Sequence, residues 1–254
     1  MLKAITRAVS RSITQCELTH LERVPIDLER AREQHRAYEN ALRSLGVDVH
    51  PLPEEPDLPD SVFVEDTAIV LDECAVITRP GAESRRPETG SVALALAGDR
   101  ELIVIQAPGT VDGGDVLLLD RTIYVGLTSR SETSAIRQMQ AGLAPYGYQV
   151  VGVPVTGCLH LKSAVTRAAR DLLLVNPAWV ETDRFPGFRF LEVDPSEAYA
   201  ANILTVADVA LYQPVFPQTL KKLEAARIPL VLVDASELGK AEGALTCCSL
   251  IYTV

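Results

Sequence analysis

Reactive side chains recur at comparable points along this chain, although they lie far apart in sequence. A thiol pair occurs at Cys247 and Cys248, and a single imidazole occurs at His160. A thiolate can attack an electrophilic carbon, an imidazole can transfer the proton, and carboxylates can bind a cation. One shared pocket would make the set suitable for covalent catalysis on a cationic substrate. The carboxylates that could take part are Asp60, Glu65, Asp66, Asp112 and Asp115.

Each of these residues also has a purely structural interpretation. A cysteine in TCCSLIY is typically a small buried residue, and His160 could be a structural strand residue between two leucines. In a strand, Cys247 and Cys248 would face opposite sides, so at most one could reach a pocket. The VDGGD segment (111–115) could be only a turn or bulge.

The adjacent acids Glu65 and Asp66 interrupt the apolar run VFVEDTAIVL. In a strand, one of the two must face the buried side, where a carboxylate needs a cationic partner. That partner could be a cationic ligand or one of the arginines at 79, 85 and 86.

Elements that could position these residues repeat along the chain. Hairpins are predicted in 61–80, 109–126, 159–177 and 202–214, and the last strand (246–254) can pair with the N-terminal run LKAITRAV. Helix-like stretches and further strands lie between the hairpins, which predicts a strand–strand–helix–strand unit repeated five times. Five such units favour a closed ring in which equivalent positions converge on the axis. An ordinary two-layer α/β domain is the alternative.

Composition excludes several classes of protein. The 254 residues carry 24 Lys+Arg against 34 Asp+Glu, a net charge of −10, which argues against nucleic-acid binding and permits a cationic substrate. No apolar run is long enough for a membrane helix, and the N-terminus lacks a signal-peptide core. Five cysteines without framework spacing predict reduced thiols and a cytoplasmic location. Four scattered histidines make a zinc site unexpected.

Five segments together resemble the dimethylarginine dimethylaminohydrolase family. RPGAESRR and VDGGD are specific only in combination, but the similarity runs from EQHRAY (33–38) in the first predicted helix to the C-terminus. The resemblance implies the fold of the guanidino-group-modifying (pentein) superfamily, a five-bladed α/β propeller, as a single catalytic domain over residues 1–254. The segments are LPDSVFVED (58–66), RPGAESRR (79–86), APGTVDGGD (107–115), LHLK (159–162) and TCCSL (246–250).

The resemblance also implies roles for individual residues. Cys247 matches the nucleophile, His160 the general acid/base, and Asp112 a carboxylate that orients the histidine, where some members have Glu. Substrate contacts are implied for a further set, and no role is implied for Cys248. In that set Glu65 and Asp66 face the guanidinium, Arg85 and Arg130 hold the α-carboxylate, and Asp60 with the backbone of Leu18 and Ala241 contacts the α-amino group.

The implied reaction converts Nω-methylated arginines to citrulline and dimethylamine or methylamine through a cysteine thiouronium adduct, without a metal or organic cofactor. The polar loop 10–25 is predicted to act as a lid. By analogy a homodimer is expected, with no nucleic-acid or membrane partner. Two alternatives remain: another guanidine-modifying enzyme such as an arginine deiminase or an amidinotransferase, or a non-catalytic propeller such as a ribosomal-subunit anti-association factor.

Overall fold

Fifteen strands form five separate three-stranded sheets in the computed structural model, which describes residues 1–254. Each sheet is one blade of a five-bladed α/β propeller, as predicted. In chain order the strands are β1 (Leu2–Arg7), β2 (Asp48–Leu52), β3 (Ala68–Val70), β4 (Cys74–Ile77), β5 (Glu101–Val104), β6 (Val116–Leu119), β7 (Thr122–Leu127), β8 (Gln149–Pro154), β9 (Val165–Ala169), β10 (Leu172–Val175), β11 (Arg189–Glu192), β12 (Leu204–Val206), β13 (Val209–Tyr212), β14 (Leu230–Leu232) and β15 (Leu250–Thr253).

Every blade combines an antiparallel pair of strands with a third strand that runs parallel to the second. The orders are β15-β1-β2, β3-β4-β5, β6-β7-β8, β9-β10-β11 and β12-β13-β14. A parallel neighbour requires a crossover, and helices supply it in four blades. The helices are α1 (Leu28–Ser44), α2 (Thr89–Leu96), α3 (Thr133–Leu143), α4 (Leu161–Ala164), α5 (Pro217–Ala225) and α6 (Ser236–Gly239).

One blade lacks the predicted crossover helix. Between β10 and β11 the chain forms only a 3₁₀ turn, Thr182–Arg184. Pro186 follows two residues later and Gly187 has a φ of +87°, so an α-helix cannot continue through this segment.

Both ends of the chain complete one blade. β15 pairs antiparallel with β1, so that Leu250 lies opposite Ile5, and β1 pairs in parallel with β2. The backbone N–H of Val254 donates to the carbonyl of Met1 at 2.9 Å. This pairing closes the ring, as predicted from the unpaired N-terminal run.

Helix α1 follows the amphipathic pattern of its sequence. Asp27 caps it by accepting a hydrogen bond from the N–H of Arg30 at 3.1 Å. Ala31, His35, Tyr38 and Leu42 are buried along one face.

The apolar core is divided into five clusters, each lying between neighbouring blades. The largest, with 19 buried residues, joins α1 to the segment that carries Cys248. None of the helices is both long enough and apolar enough to cross a bilayer.

Candidate active site

Short helical turns, not strands, carry the candidate residues. Residues Val64–Thr67, Gly113–Asp115 and Thr246–Cys248 are 3₁₀ turns that immediately precede the first strand of a hairpin, and His160 precedes α4. The expectation that these residues lie in strands was therefore wrong. A 3₁₀ turn points consecutive side chains about 120° apart, whereas an extended strand alternates them between two faces.

One narrow cavity at the axis collects most of the predicted site. Seven of the ten predicted residues line it together with Glu17, Phe63, Leu159, Glu242 and Gly243. The seven are Asp60, Asp66, Arg85, Arg130, His160, Ala241 and Cys247.

The remaining three predicted residues lie around this cavity. Asp112 is fully buried behind His160, and its Oδ2 lies 3.1 Å from His160 Nε2. Leu18, in the predicted lid, packs on the cluster of α1. Glu65 faces a different cavity, on the other side of the turn that carries Asp66.

Glu65, Lys162 and Thr246 form a layer of bonded side chains, here called the partition, between the catalytic cavity and a larger one. Glu65 Oε1 accepts from Lys162 Nζ at 2.5 Å, and Glu65 Oε2 accepts from the Thr246 hydroxyl at 3.0 Å. These three residues line a larger cavity of about 640 Å³, whereas their chain neighbours Asp66 and Cys247 line the catalytic cavity. Adjacent residues of each turn therefore face opposite ends of the ring.

Cys248 is explained by packing. It is 1% exposed within the cluster around α1, and its thiol donates to the carbonyl of Ala244. Cys247 is the only one of the five free cysteines that is not fully buried. One of the pair faces the cavity and the other the core, as expected, although the backbone is a turn.

The electrostatics of the cavity favour a charged imidazole. Burial alone would lower the pKa of His160, but Asp66, the hydrogen bond to Asp112 and the nearby Asp115 outweigh burial and raise the pKa to about 9. His160 therefore holds two nitrogen-bound protons at neutral pH and can donate one of them.

The Cys247 thiol is neutral in the same cavity. Burial raises its pKa above the ordinary value, and the negative charges of Glu65 and Asp66 raise it further. A thiol in such surroundings is a weak nucleophile, because only its thiolate reacts readily. A bound cation would supply that charge.

Asp66 is held as a carboxylate. Burial opposes its ionisation, yet Arg85 and His160 outweigh that effect and lower the pKa of Asp66 to about 2. Its Oδ2 accepts from Arg85 Nη1 at 2.5 Å, and its Oδ1 accepts from the N–H of Gly114 at 2.8 Å.

Gly114 accounts for the VDGGD segment. A β-carbon at this position would lie 2.5 Å from His160 Nδ1 and 2.9 Å from Asp66 Oδ1. Only glycine lets the turn approach the imidazole and the carboxylate so closely. The segment is a turn, as one interpretation had it, and it is also part of the site.

The two arginines of the site differ in what they can offer a ligand. Arg85 is almost fully engaged: its guanidinium donates to Asp66, to both oxygens of Glu88, and to the carbonyls of Asp60 and Phe63. One N–H on Nη1 remains. Arg130 donates only to the hydroxyl of Thr19 at 3.1 Å, so most of its guanidinium is available.

The loop 10–25 is anchored over the cavity from both sides. The N–H of Glu17 donates to Asp60 Oδ2 at 3.1 Å. The carboxylate of Glu242 accepts the N–H groups of Thr19, His20 and Leu21 at 2.5–3.1 Å. Ile13 and Cys16 at the start of the loop are buried in the core, whereas residues 17–25 are exposed or half-buried, so only this second part has the weak packing of a mobile segment.

Sequence reasoning missed several residues of the site. Lys162 and Glu242 are ion-pair and hydrogen-bond partners supplied by distant parts of the chain. Asp115, a candidate carboxylate from the sequence, has a different place from the one considered: it supports the loop of His160. Asp115 accepts from the N–H of Leu161 at 2.9 Å and from the Ser131 hydroxyl at 2.6 Å. Lys162 could have been noticed, because it stands two positions after His160 on a helical turn.

Asp66, Asp112 and His160 also offer three ligand atoms within 4.8 Å of one another. In the structure Asp66 accepts from Arg85 and Gly114, while Asp112 accepts from Gly81 and lies against His160. A metal ion would have to displace these hydrogen bonds and compete with the positive charge of Arg85 and His160.

Comparison with known proteins agrees with this geometry. The profile of the family "N,N dimethylarginine dimethylhydrolase, eukaryotic" matches residues 13–183. An N(G),N(G)-dimethylarginine dimethylaminohydrolase of Streptomyces coelicolor is 41% identical over 97% of this chain and 95% of its own length, and one of Pseudomonas aeruginosa is 36% identical over 98% of both.

A solved structure of the Pseudomonas aeruginosa enzyme, a cysteine-to-serine variant complexed with citrulline, superimposes with a TM-score of 0.94 at 34% identity, covering 98% of each chain. The similarity therefore spans every blade and every turn that lines the cavity. On the strength of the profile, the two relatives and the shared propeller, the chain belongs to the dimethylarginine dimethylaminohydrolase family.

Proposed function

We propose that residues 1–254 act as a single catalytic domain that hydrolyses Nω,Nω-dimethyl-L-arginine, and Nω-monomethyl-L-arginine, to L-citrulline and dimethylamine or methylamine. The observation that carries the proposal is that the Cys247 thiol and the His160–Asp112 pair meet at one narrow cavity with the buried carboxylate of Asp66. The names of the relatives, and the citrulline in one of their structures, support the same reaction.

Substrate binding follows from the charges of the cavity. Asp66 keeps free lone pairs beside its bonds to Arg85 and Gly114, so it can accept N–H bonds from a planar guanidinium. Arg130, with the last N–H of Arg85, would hold the α-carboxylate. Asp60 and the backbone carbonyls of Leu18 and Ala241 would receive the α-amino group. Glu65, behind the partition, would act on the guanidinium only through its charge.

The chemical steps require only a thiol, an imidazole and water. The bound guanidinium lowers the pKa of the Cys247 thiol, which releases its proton to water because His160 is already protonated. The resulting thiolate attacks the central carbon to form a tetrahedral adduct. His160 then donates its proton to the departing amine nitrogen, and a thiouronium remains on sulfur. Neutral His160 next takes a proton from water, and the hydroxide attacks the same carbon. The C–S bond then breaks, the hydroxyl proton of the adduct passes to the departing sulfur, and citrulline leaves with the Cys247 thiol and the protonated His160 restored.

Asp112 would act by positioning. Its contact at Nε2 leaves the other ring nitrogen of His160 toward the reacting groups and stabilises the imidazolium before the first proton transfer. The anchored loop 10–25 would exclude bulk water while the thiouronium exists.

The test is incubation with asymmetric dimethylarginine and an assay for citrulline. Cys247→Ser should abolish turnover and keep the native circular dichroism spectrum, whereas Cys74→Ala, at a buried thiol of β4 outside the catalytic cavity, should remain active. Release of ammonia from plain arginine, with no amine from dimethylarginine, would indicate a deiminase. No product from either substrate would indicate a binding protein.

Two further parts of the proposal concern the whole molecule. The five free thiols suit a reducing cytoplasm, and cell fractionation would test that location. A homodimer is inferred by analogy with the family, and size-exclusion chromatography would show twice the chain mass or refute it.

A further inference from the structure

A second cavity lies beside the catalytic one and has no part in the reaction proposed above. It holds about 250 Å³ between the lid residues His20 and Leu21 and the loops after β8, β11, β13 and α6. Leu159, Glu242 and Gly243 line both cavities, so a single layer of residues separates them.

Gln213 gives this cavity an unpaired polar group. The residue is only 5% exposed and lines the cavity directly after β13. Its side-chain amide makes no hydrogen bond to the rest of the chain, whereas Asn202 in the same wall bonds to Lys162 and Thr246. Because Gln213 lines the cavity, its amide is accessible from the cavity side and can offer one donor group and one acceptor to an occupant.

The rest of the wall defines the shape of that partner. Leu21, Leu159 and Phe216 supply apolar surface, and the ring of Tyr199 stands edge-on against Trp179 with centroids 5.0 Å apart. Hydroxyl groups of Ser163 and Ser236 add polar contacts at the edge. Such a cavity suits a flat apolar body that carries one amide-like group.

Charge restricts the partner further. No Lys or Arg side chain lines the cavity. Its single carboxylate, Glu242, already accepts the three lid N–H groups. An anion would find no lysine or arginine to pair with here, and a cation would have to compete with the lid for Glu242.

We propose that this cavity is a second binding site, for a small uncharged aromatic or alkyl carboxamide or urea whose amide pairs with Gln213. An occupant would rest against His20 and Leu21 and would therefore hold the lid against Glu242. Occupancy and lid closure would be coupled, since each favours the same conformation.

The test uses three molecules of nearly equal shape: benzamide, benzoate and benzamidine. In ¹H–¹⁵N NMR spectra of the substrate-free chain, benzamide should shift the side-chain NH₂ pair of Gln213 with saturation in the millimolar range. Benzoate should require at least about tenfold higher concentration. Benzamidine should leave the Gln213 pair unshifted even where it shifts resonances of the catalytic cavity.

Two variants isolate the amide. Gln213→Leu should weaken benzamide binding about tenfold, the worth of the lost hydrogen bonds, and it should fold normally because the amide has no protein partner. Gln218→Leu, an exposed glutamine on α5, should bind benzamide as the parent does. Equal binding by the parent and Gln213→Leu, or a cavity that holds only water in the presence of benzamide, would overturn the site.

The coupling to the lid is measured by hydrogen exchange at the N–H groups of residues 19–21. Saturating benzamide should slow their exchange, and binding without any slowing would refute the coupling. None of these readouts needs turnover. The second site could therefore fail while the proposed hydrolysis stands, and the reverse also holds.

Discussion

Replacement of Asp112 by asparagine tests how far the Asp112 carboxylate raises the pKa of His160. Asp112 is fully buried, and its Oδ2 is 3.1 Å from Nε2 of the imidazole. Asparagine keeps the size of the side chain and can still accept from the N–H of Gly81, as Asp112 Oδ1 does at 2.8 Å. The substitution therefore removes one negative charge with little loss of packing.

The size of the effect follows from the surroundings of the ring. Burial opposes protonation of His160, and three carboxylates together raise its pKa to about 9. An opposite charge in hydrogen-bond contact is worth about 1–3 pKa units, or about 1.4–4 kcal/mol. We expect the pKa in the variant to fall to roughly 6–8. With a pKa near 7, only about one-tenth of the rings would carry the proton at pH 8, against about nine-tenths in the parent.

The assay is an NMR titration of the His160 ring Cε1–H signal, assigned by its loss in His160→Gln. Asp171→Asn, at an exposed carboxylate paired with Arg189, is the control and should leave the titration unchanged. The high-pH limb of kcat/KM should move down with the ring pKa, because the free enzyme needs protonated His160. A midpoint in Asp112→Asn equal to that of the parent would show that Asp112 does not set this charge.

Three further outcomes are expected. Glu242→Gln weakens the charge-assisted bonds to the lid and should raise the KM for dimethylarginine about threefold to tenfold, roughly 1 kcal/mol, with little change in kcat. Deletion of the lid should also raise KM. An unchanged KM in either variant would contradict the role of the lid. Because the pKa of the Cys247 thiol is raised, its alkylation by iodoacetamide in the free enzyme should be slow at pH 7, and its rate should still increase with pH at pH 10. A rate already maximal at pH 7 would contradict a neutral thiol. The folded-state pKa of His160 is raised from 6.5 to about 9, so the stability that the imidazolium contributes is fully present below pH 6.5 and is lost as pH rises through 9. The difference in urea midpoint between the parent and His160→Gln should therefore shrink from pH 6 to pH 9.5. A constant difference would exclude this linkage.

The blades could be predicted from sequence because their signals are local. Apolar runs separated by turn residues such as Asp120-Arg121 and Ala207-Asp208 mark hairpins, and the unpaired N-terminal run identified the partner of β15. The helix predicted before β11 is absent. The prediction assumed that this blade repeats the others, but Pro186-Gly187 prevents the backbone from remaining helical.

The chemistry could be predicted as a set of residue types, but its arrangement could not. A 3₁₀ turn of three or four residues has no periodicity, so the turn that carries Glu65 was indistinguishable from the strand after it. The pairing of Glu65 with Lys162 joins residues 97 positions apart. No local pattern contains such a contact, and only the closed ring creates it.

Because neighbouring residues of a turn face different cavities, the number of residues in the turn decides which side chain reaches the catalytic cavity. Thr246 and Cys247 face opposite ends of the ring although they are consecutive, and the same is true of Glu65 and Asp66. Inserting or deleting one residue in the turn that carries Thr246 and Cys247 would turn the hydroxyl toward the catalytic cavity and the thiol toward the larger cavity. A deletion scan should therefore show loss of activity within these turns and tolerance at the four outer hairpin tips, which join β3 to β4, β6 to β7, β9 to β10 and β12 to β13.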